Sequence, residues 1–174
     1  MVAFSRNTNN CSKVDWAVLS NGSISLYYDE AILAKDLKWL KNNQYKIINL
    51  DFSIIGTIDE FHKRIKETCD FPDYYGENMS ALSDCLLHDL DIPYEGGCVF
   101  TLKKFNLFFK KDKIMAHDIL ERLCEASRQR ILTGERLITL LQSDDPLFSP
   151  DVIGAYKISL NRHEFVNKDR IKKQ

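Results

Sequence analysis

Asp84, Cys85 and His88 stand at i, i+1 and i+4 in the run MSALSDCLLH, a spacing that on a helix sets a carboxylate and an imidazole on one face beside a thiol. These are the parts of a nucleophilic cysteine site. The same window argues against that chemistry. Met79, Leu82, Cys85 and Leu86 recur at helical spacing and form the apolar stripe, so Cys85 belongs to the side a core must cover. Ser80, Ser83, Asp84 and Leu87 fall on roughly the opposite side. The sequence shows no third catalytic group, no glycine-rich phosphate loop and no HExxH-type zinc motif. His62 and His117 lie on helical stretches without metal-ligand spacing and read as surface or partly packed histidines. The expectation is a protein that is not an enzyme, with no metal and no cofactor.

What remains of the constellation is charge. Between Lys66 and Lys103 there is no Lys or Arg, yet the stretch carries eight carboxylates: Glu67, Asp70, Asp73, Glu77, Asp84, Asp89, Asp91 and Glu95. The whole chain has a formal net charge of only -1, so the acidity is local, and a local field of one sign steers partners of the other. Asp84 faces solvent near the centre of the block, and Tyr74-Tyr75-Gly76 just before its helix supplies aromatic contact area. Aromatic anchors, a central carboxylate and an acidic surround suit a cationic protein and repel nucleic acid. The plain alternative is an amphipathic helix with a solvated acidic face. A nucleic-acid reading would need Lys103, Lys104, Lys110, Lys111 and Lys113 among Phe105, Phe108 and Phe109. There the charges read as a solvated loop and the aromatics as core, and the tail Arg162 to Lys173 mixes acids with its bases.

The elements that must position this surface follow from periodicity. At 174 residues, 44% of them apolar, the chain can bury one good core with a small appended unit. The start MVAFSRNTNNCSKVDW has no leader pattern and no window reaches membrane-spanning length, so the expectation is a cytoplasmic protein that meets no membrane. Five scattered cysteines, Cys11, Cys69, Cys85, Cys98 and Cys124, form no CxxC pair and read as reduced, mostly buried thiols. Trp16 to Leu19 and Ser23 to Tyr28 read as a hairpin around Asn21-Gly22, and Ala31 to Lys41 as a helix. Tyr45 to Phe52 reads as a buried strand. Thr57-x-x-Glu60 opens a capped helix through Cys69, Phe71-Pro72 ends it, and Asn78 to Leu90 resumes helical periodicity. Cys98 to Leu102 and Arg136 to Leu141 read as strands around a helix from Ile114 to Gln129. Strands alternating with helices imply an α/β fold with a largely parallel sheet. Residues 146–150 look like a linker before an edge strand at Ile153 to Leu160.

The segment Leu50 to Leu90, above all FPDYYGENMSALSDCL, resembles the barstar family of intracellular ribonuclease inhibitors. The likeness rests on an ordered set of features: Asp59-Glu60-Phe61-His62, Pro72, Tyr74-Tyr75-Gly76, Asn78, Ala81-Leu82 and Asp84-Cys85-Leu86. It extends more weakly to cover about residues 45–142. This divides the chain into an N-terminal hairpin-helix extension over 1–44, a barstar-like domain over 45–142 and a C-terminal strand and tail over 143–174. The resemblance implies a three-stranded parallel sheet packed by helices. It further implies a monomer that inhibits a cationic ribonuclease or nuclease toxin, with the carboxylate matching Asp84 in the place of a substrate phosphate. The implied partner-binding residues are Tyr74, Tyr75, Gly76, Asn78, Met79, Ser80, Ser83, Asp84, Leu87, His88 and, on the later helix, Glu125. Ser80, Ser83 and Asp89 depart from the family, which has Asp, Trp and Trp there; a rewritten rim around a kept anchor fits a different cognate enzyme. The alternative is a barstar-like module that binds a non-nuclease protein.

Overall fold

The computed structural model describes residues 13–166; Cys11 and the end of the basic tail, residues 167–174, lie outside them. In chain order the elements are α1 (Val14–Leu19), β1 (Ile24–Tyr27), α2 (Glu30–Asn42), β2 (Tyr45–Asp51), α3 (Ile58–Cys69) and α4 (Met79–His88). They continue with β3 (Gly97–Lys103), α5 (Phe105–Lys111), α6 (Lys113–Leu132), β4 (Leu137–Gln142), β5 (Val152–Ile153), β6 (Tyr156–Lys157), β7 (Ser159–Leu160) and a 3-10 turn at Glu164–Val166. Five strands form one parallel sheet in the order β2-β3-β4-β1-β7. The expected three-stranded parallel unit is β2, β3 and β4. The leading and trailing segments add β1 and β7 to it.

The sheet is covered on both faces. Along β3, Cys98, Phe100 and Leu102 enter the cluster built by α3 to α6, while Val99 enters a second cluster with Val18, Leu33 and Leu40 of α1 and α2. In β4, Leu137 and Leu141 face the first cluster and Ile138 and Leu140 the second. Period-two alternation with both sides apolar explains why GCVFTL and LITLLQ read as unbroken hydrophobic runs. The helices begin where side chains satisfy the first free N–H groups. Asp29 caps α2, Thr57 and Glu60 form a reciprocal capping box on α3, Asn78 caps α4, and Asp112 caps α6.

Three local expectations are corrected. Trp16 to Leu19 is helical, and no hairpin forms with β1. Val14, Val18 and Leu19 recur at helical spacing toward the second cluster, and both edges of β1 are taken by the parallel strands β4 and β7. Asn21-Gly22 serves instead as a helix stop: Asn21 Nδ2 donates to Ala17 O at 2.7 Å, Gly22 has φ +92°, and a Cβ there would lie 2.8 Å from Tyr156 Cβ. Residues 105–111 form a helix, not a loop, because Phe105 and Phe108 must both reach the core. The strand expected over Ile153 to Leu160 is broken by a turn at Gly154, φ +60°, into the antiparallel β5–β6 pair and the edge strand β7.

The added elements are fastened by a buried carboxylate. Asp36 Oδ2 of α2 accepts from Tyr27 Oη of β1 and from Asn161 Nδ2 just past β7, each at 2.9 Å. Burial and the Asp36 charge both push the Tyr27 phenol well above its ordinary range, so it stays protonated and donates to Asp36. Asp36→Ala leaves two buried donors unpaired and should cost about 2–4 kcal/mol of stability, read as a lower urea midpoint at an unchanged m-value.

Candidate functional site

The acidic surface is built on α4 and the connector before it. α3 ends at Asp70 in the left-handed conformation, φ +57°, which turns the chain so that Phe71 enters the core. Tyr75 N donates to Pro72 O at 2.9 Å, closing a turn, and the Tyr75 side chain is buried with its hydroxyl 2.5 Å from His62 Nδ1. Tyr75 was expected on the binding surface; its ring instead pins the connector to α3, packing against Phe71 and His62. Its neighbour Tyr74 consequently projects into solvent, 72% exposed, and donates to Asp89 Oδ1 at 2.5 Å. At the other end, Asn78 Oδ1 accepts from Ala81 N while its Nδ2 donates to Gly76 O, both at 3.0 Å. The connector is thus held at both ends of the helix it precedes.

On α4, Leu82, Cys85 and Leu86 are buried, and Met79 and Leu87 are half-buried against the main cluster. Leu87 therefore sits closer to the core than its expected solvent side. Ser80, Asp84 and His88 are exposed, as are Gly76 and Asn78. Ser83 is half-buried and donates to Met79 O at 3.2 Å. Glu125 is exposed on α6, which packs against α4, and is already engaged by Gln129 Nε2 at 2.9 Å and Arg128 at 3.4 Å. Asp84 differs: among the described residues its carboxylate has no hydrogen bond and no ion pair. Asp73, Glu77 and Glu95 likewise carry no ion pair there, while Glu67 meets Arg64 and Asp91 meets Lys46, both cations from outside the acidic stretch.

Arg130 of α6 fixes the far end of α4, and nothing in the sequence marks it for that role. Its Nε donates to Leu86 O and its Nη2 to Leu90 O, each at 3.0 Å, while Nη1 meets Glu135 Oε2 at 2.7 Å. A cation at a helix C-terminus satisfies free carbonyls and opposes the negative end of the dipole. All its nitrogens are used in these contacts, and of the acidic stretch its charge acts on Asp89, after Tyr74 and the Cys85 thiol. The Tyr74 hydrogen bond holds the Asp89 carboxyl below its ordinary value, helped by the Cys85 thiol, and holds the Tyr74 phenol up at about 12. Burial, with Asp89 and Asp84 adding to it, pushes the Cys85 thiol up to about 12, the reverse of what a reactive thiolate needs.

Arg130→Met should cost about 2–4 kcal/mol and speed amide exchange in the last turn of α4 more than elsewhere. The burial of His62 makes a pH dependence. Burial lowers the His62 pKa below its ordinary 6.5, against opposing pulls from Glu77 and Asp59. The unfolded chain therefore binds a proton that the folded one resists, so stability is full above about 6.5 and declines as pH falls toward the lowered folded value. Urea midpoints between pH 7.5 and pH 5, on the order of those limits, should fall on acidification and fall less in His62→Gln.

With that geometry in place, comparison with known proteins matches residues 45–142 to the family described as Barstar (barnase inhibitor). The Bacillus subtilis (strain 168) protein named "Putative ribonuclease inhibitor YrdF" is 38% identical over 84 residues, which cover 48% of this chain and 87% of that protein. The matched region holds β2 through β4, including α4 and Arg130; α1, β1, α2 and β7 lie outside it.

Proposed function

Because the chain belongs to the Barstar (barnase inhibitor) family, we propose that it is an immunity-type protein that binds and blocks the active site of a cationic ribonuclease or related nuclease toxin, without catalysis of its own. The observation that carries this is Asp84, an exposed carboxylate at the middle of a helix held at both ends, with no counter-ion among the described residues. A ribonuclease must present Lys, Arg and His to a phosphodiester. A carboxylate carried on a backbone already fixed in position competes for those groups through charge-assisted hydrogen bonds, and no segment of backbone has to be ordered for it to do so. The surrounding carboxylates raise the encounter rate with a cationic protein and repel nucleic acid. Tyr74, Ser80, His88 and Asn78 flank Asp84 as the contact rim, with Gly76, Met79, Ser83, Leu87 and Glu125 around them. Tyr75 contributes by holding the connector.

Titrating purified small cationic ribonucleases with the full chain should give stoichiometric inhibition of the cognate enzyme. Asp84→Ala should weaken it by about 2–5 kcal/mol, roughly 30-fold or more, a range drawn in part from barnase with barstar itself. Raising salt from about 20 mM to about 500 mM should slow association by about ten-fold with a smaller change in dissociation. Equal inhibition by the Asp84→Ala variant would remove Asp84 from the interface. A chain that inhibits none of these enzymes and binds a non-nuclease protein through this face would be an interaction module on the same scaffold.

A further inference from the structure

We infer that Tyr94 is a specificity-determining contact on the same partner surface, stacking on an arginine of the cationic partner; this rests on α4 being the partner-facing helix. Tyr94 is 82% exposed, and its hydroxyl has no hydrogen bond to any described residue. It stands five residues beyond Asp89, the C-cap of α4, on the loop leading into β3.

That loop is fastened at both ends. Leu90 N donates to Cys85 O at 2.9 Å, Arg130 holds Leu90 O, and Lys46 Nζ reaches Asp91 O at 3.4 Å. Ile92 packs on the main cluster, Arg136 Nη2 donates to Glu95 O at 2.7 Å, and a Cβ on Gly96 would lie 2.0 Å from Gln44 O, so the backbones there are in close contact. A large ring presented to water on a loop already in place is a ready contact, because ordering it on binding costs little.

The surroundings select the partner group. In the chain Tyr94 stands between Asp91 and Glu95, and Asp89 adds a carboxylate at the C-terminal end of α4, where the helix dipole is already negative. Helix stability alone disfavours an acid there. A cation that stacks on an aromatic face while donating to carboxylate and carbonyl oxygens is a guanidinium more than an ammonium. The outer side of α4 itself carries Ser80 and Ser83 and no aromatic residue. Exposed aromatic area comes instead from Tyr74, bonded to Asp89 at the C-cap of α4, and from Tyr94 on the loop that follows that cap.

The test is an NMR titration of the isotope-labelled full chain with hepta-arginine and, separately, hepta-lysine at matched ionic strength. The arginine peptide should move the Tyr94 ring and amide resonances and bind about three-fold tighter than the lysine peptide, the scale of one exposed cation–π contact. In Tyr94→Leu, an exposed substitution, that preference should vanish while shifts around Asp84 persist. Shifts confined to Asp84 and its neighbours, equal affinity for both peptides, no binding of either, or an unchanged preference in Tyr94→Leu would each overturn the inference. The first of these outcomes leaves the α4 reading standing. Conversely, failure to inhibit any ribonuclease would sink that reading while leaving a Tyr94 response to arginine intact.

Discussion

Everything in this fold depends on burying β3 and β4 from both sides. A parallel strand with apolar side chains on alternate positions and no polar face has to be covered twice, or it leaves Val99, Ile138 and Leu140 in water. Helices α3 to α6 supply one cover, and α1 and α2 supply the other. The sheet then gains β1 beside β4, and β7 beside β1. The segments outside residues 45–142 are therefore bound into the same sheet. Their polar fastenings are long-range: Asp36 with Tyr27 and Asn161, Asp15 with Tyr45 Oη at 2.8 Å and Arg136 at 3.3 Å, and Glu164 Oε1 with Tyr28 N and Asp29 N at 2.9 and 2.8 Å.

That scaffold leaves α4 in an uncommon condition. Its inner face is packed, its N-terminus is capped by Asn78, and its C-terminal carbonyls are held by Arg130, while its outer carboxylate has no partner among the described residues. Cations bonded around the end of α4 and the loop after it are directed elsewhere: Arg130 to backbone and Glu135, Lys46 to Asp91, and Arg136 to Asp15 and Glu95 O. An unneutralised carboxylate on a firmly held helix suits a competitor for a phosphate site, since attraction to the partner is not divided with a paired charge.

The connector shows how packing and surface are coupled. Tyr74 and Tyr75 are adjacent and chemically alike, yet one is exposed and one buried, because successive side chains in this turn point in opposite directions and His62 receives only the second. The exposed ring is in turn restrained by Asp89 across the length of α4. Contact area and its fixation thus come from one pair of tyrosines.

Much of this was legible in one dimension. The capping box at Thr57 and Glu60, the apolar runs of β2, β3 and β4, the inward stripe of Leu82, Cys85 and Leu86, the outward Asp84 and the local block of carboxylates all follow from near-neighbour spacing, which the helix and strand periods make readable. What escaped depended on distant parts of the chain. The stretch Trp16 to Leu19 is apolar enough for a strand, and only occupation of both β1 edges by β4 and β7 decides for a helix there. Arg130 has no signature as a cap for α4, since its carbonyl partners lie 40 and 44 residues away. Likewise Tyr75 could be told from Tyr74 only by the position of His62. The sequence by itself determined the periods, the caps and the charge of each segment, because those are local properties. Tertiary structure alone decided which carboxylates stay unpaired and which aromatic rings stay exposed, because both depend on what long-range packing brings alongside them.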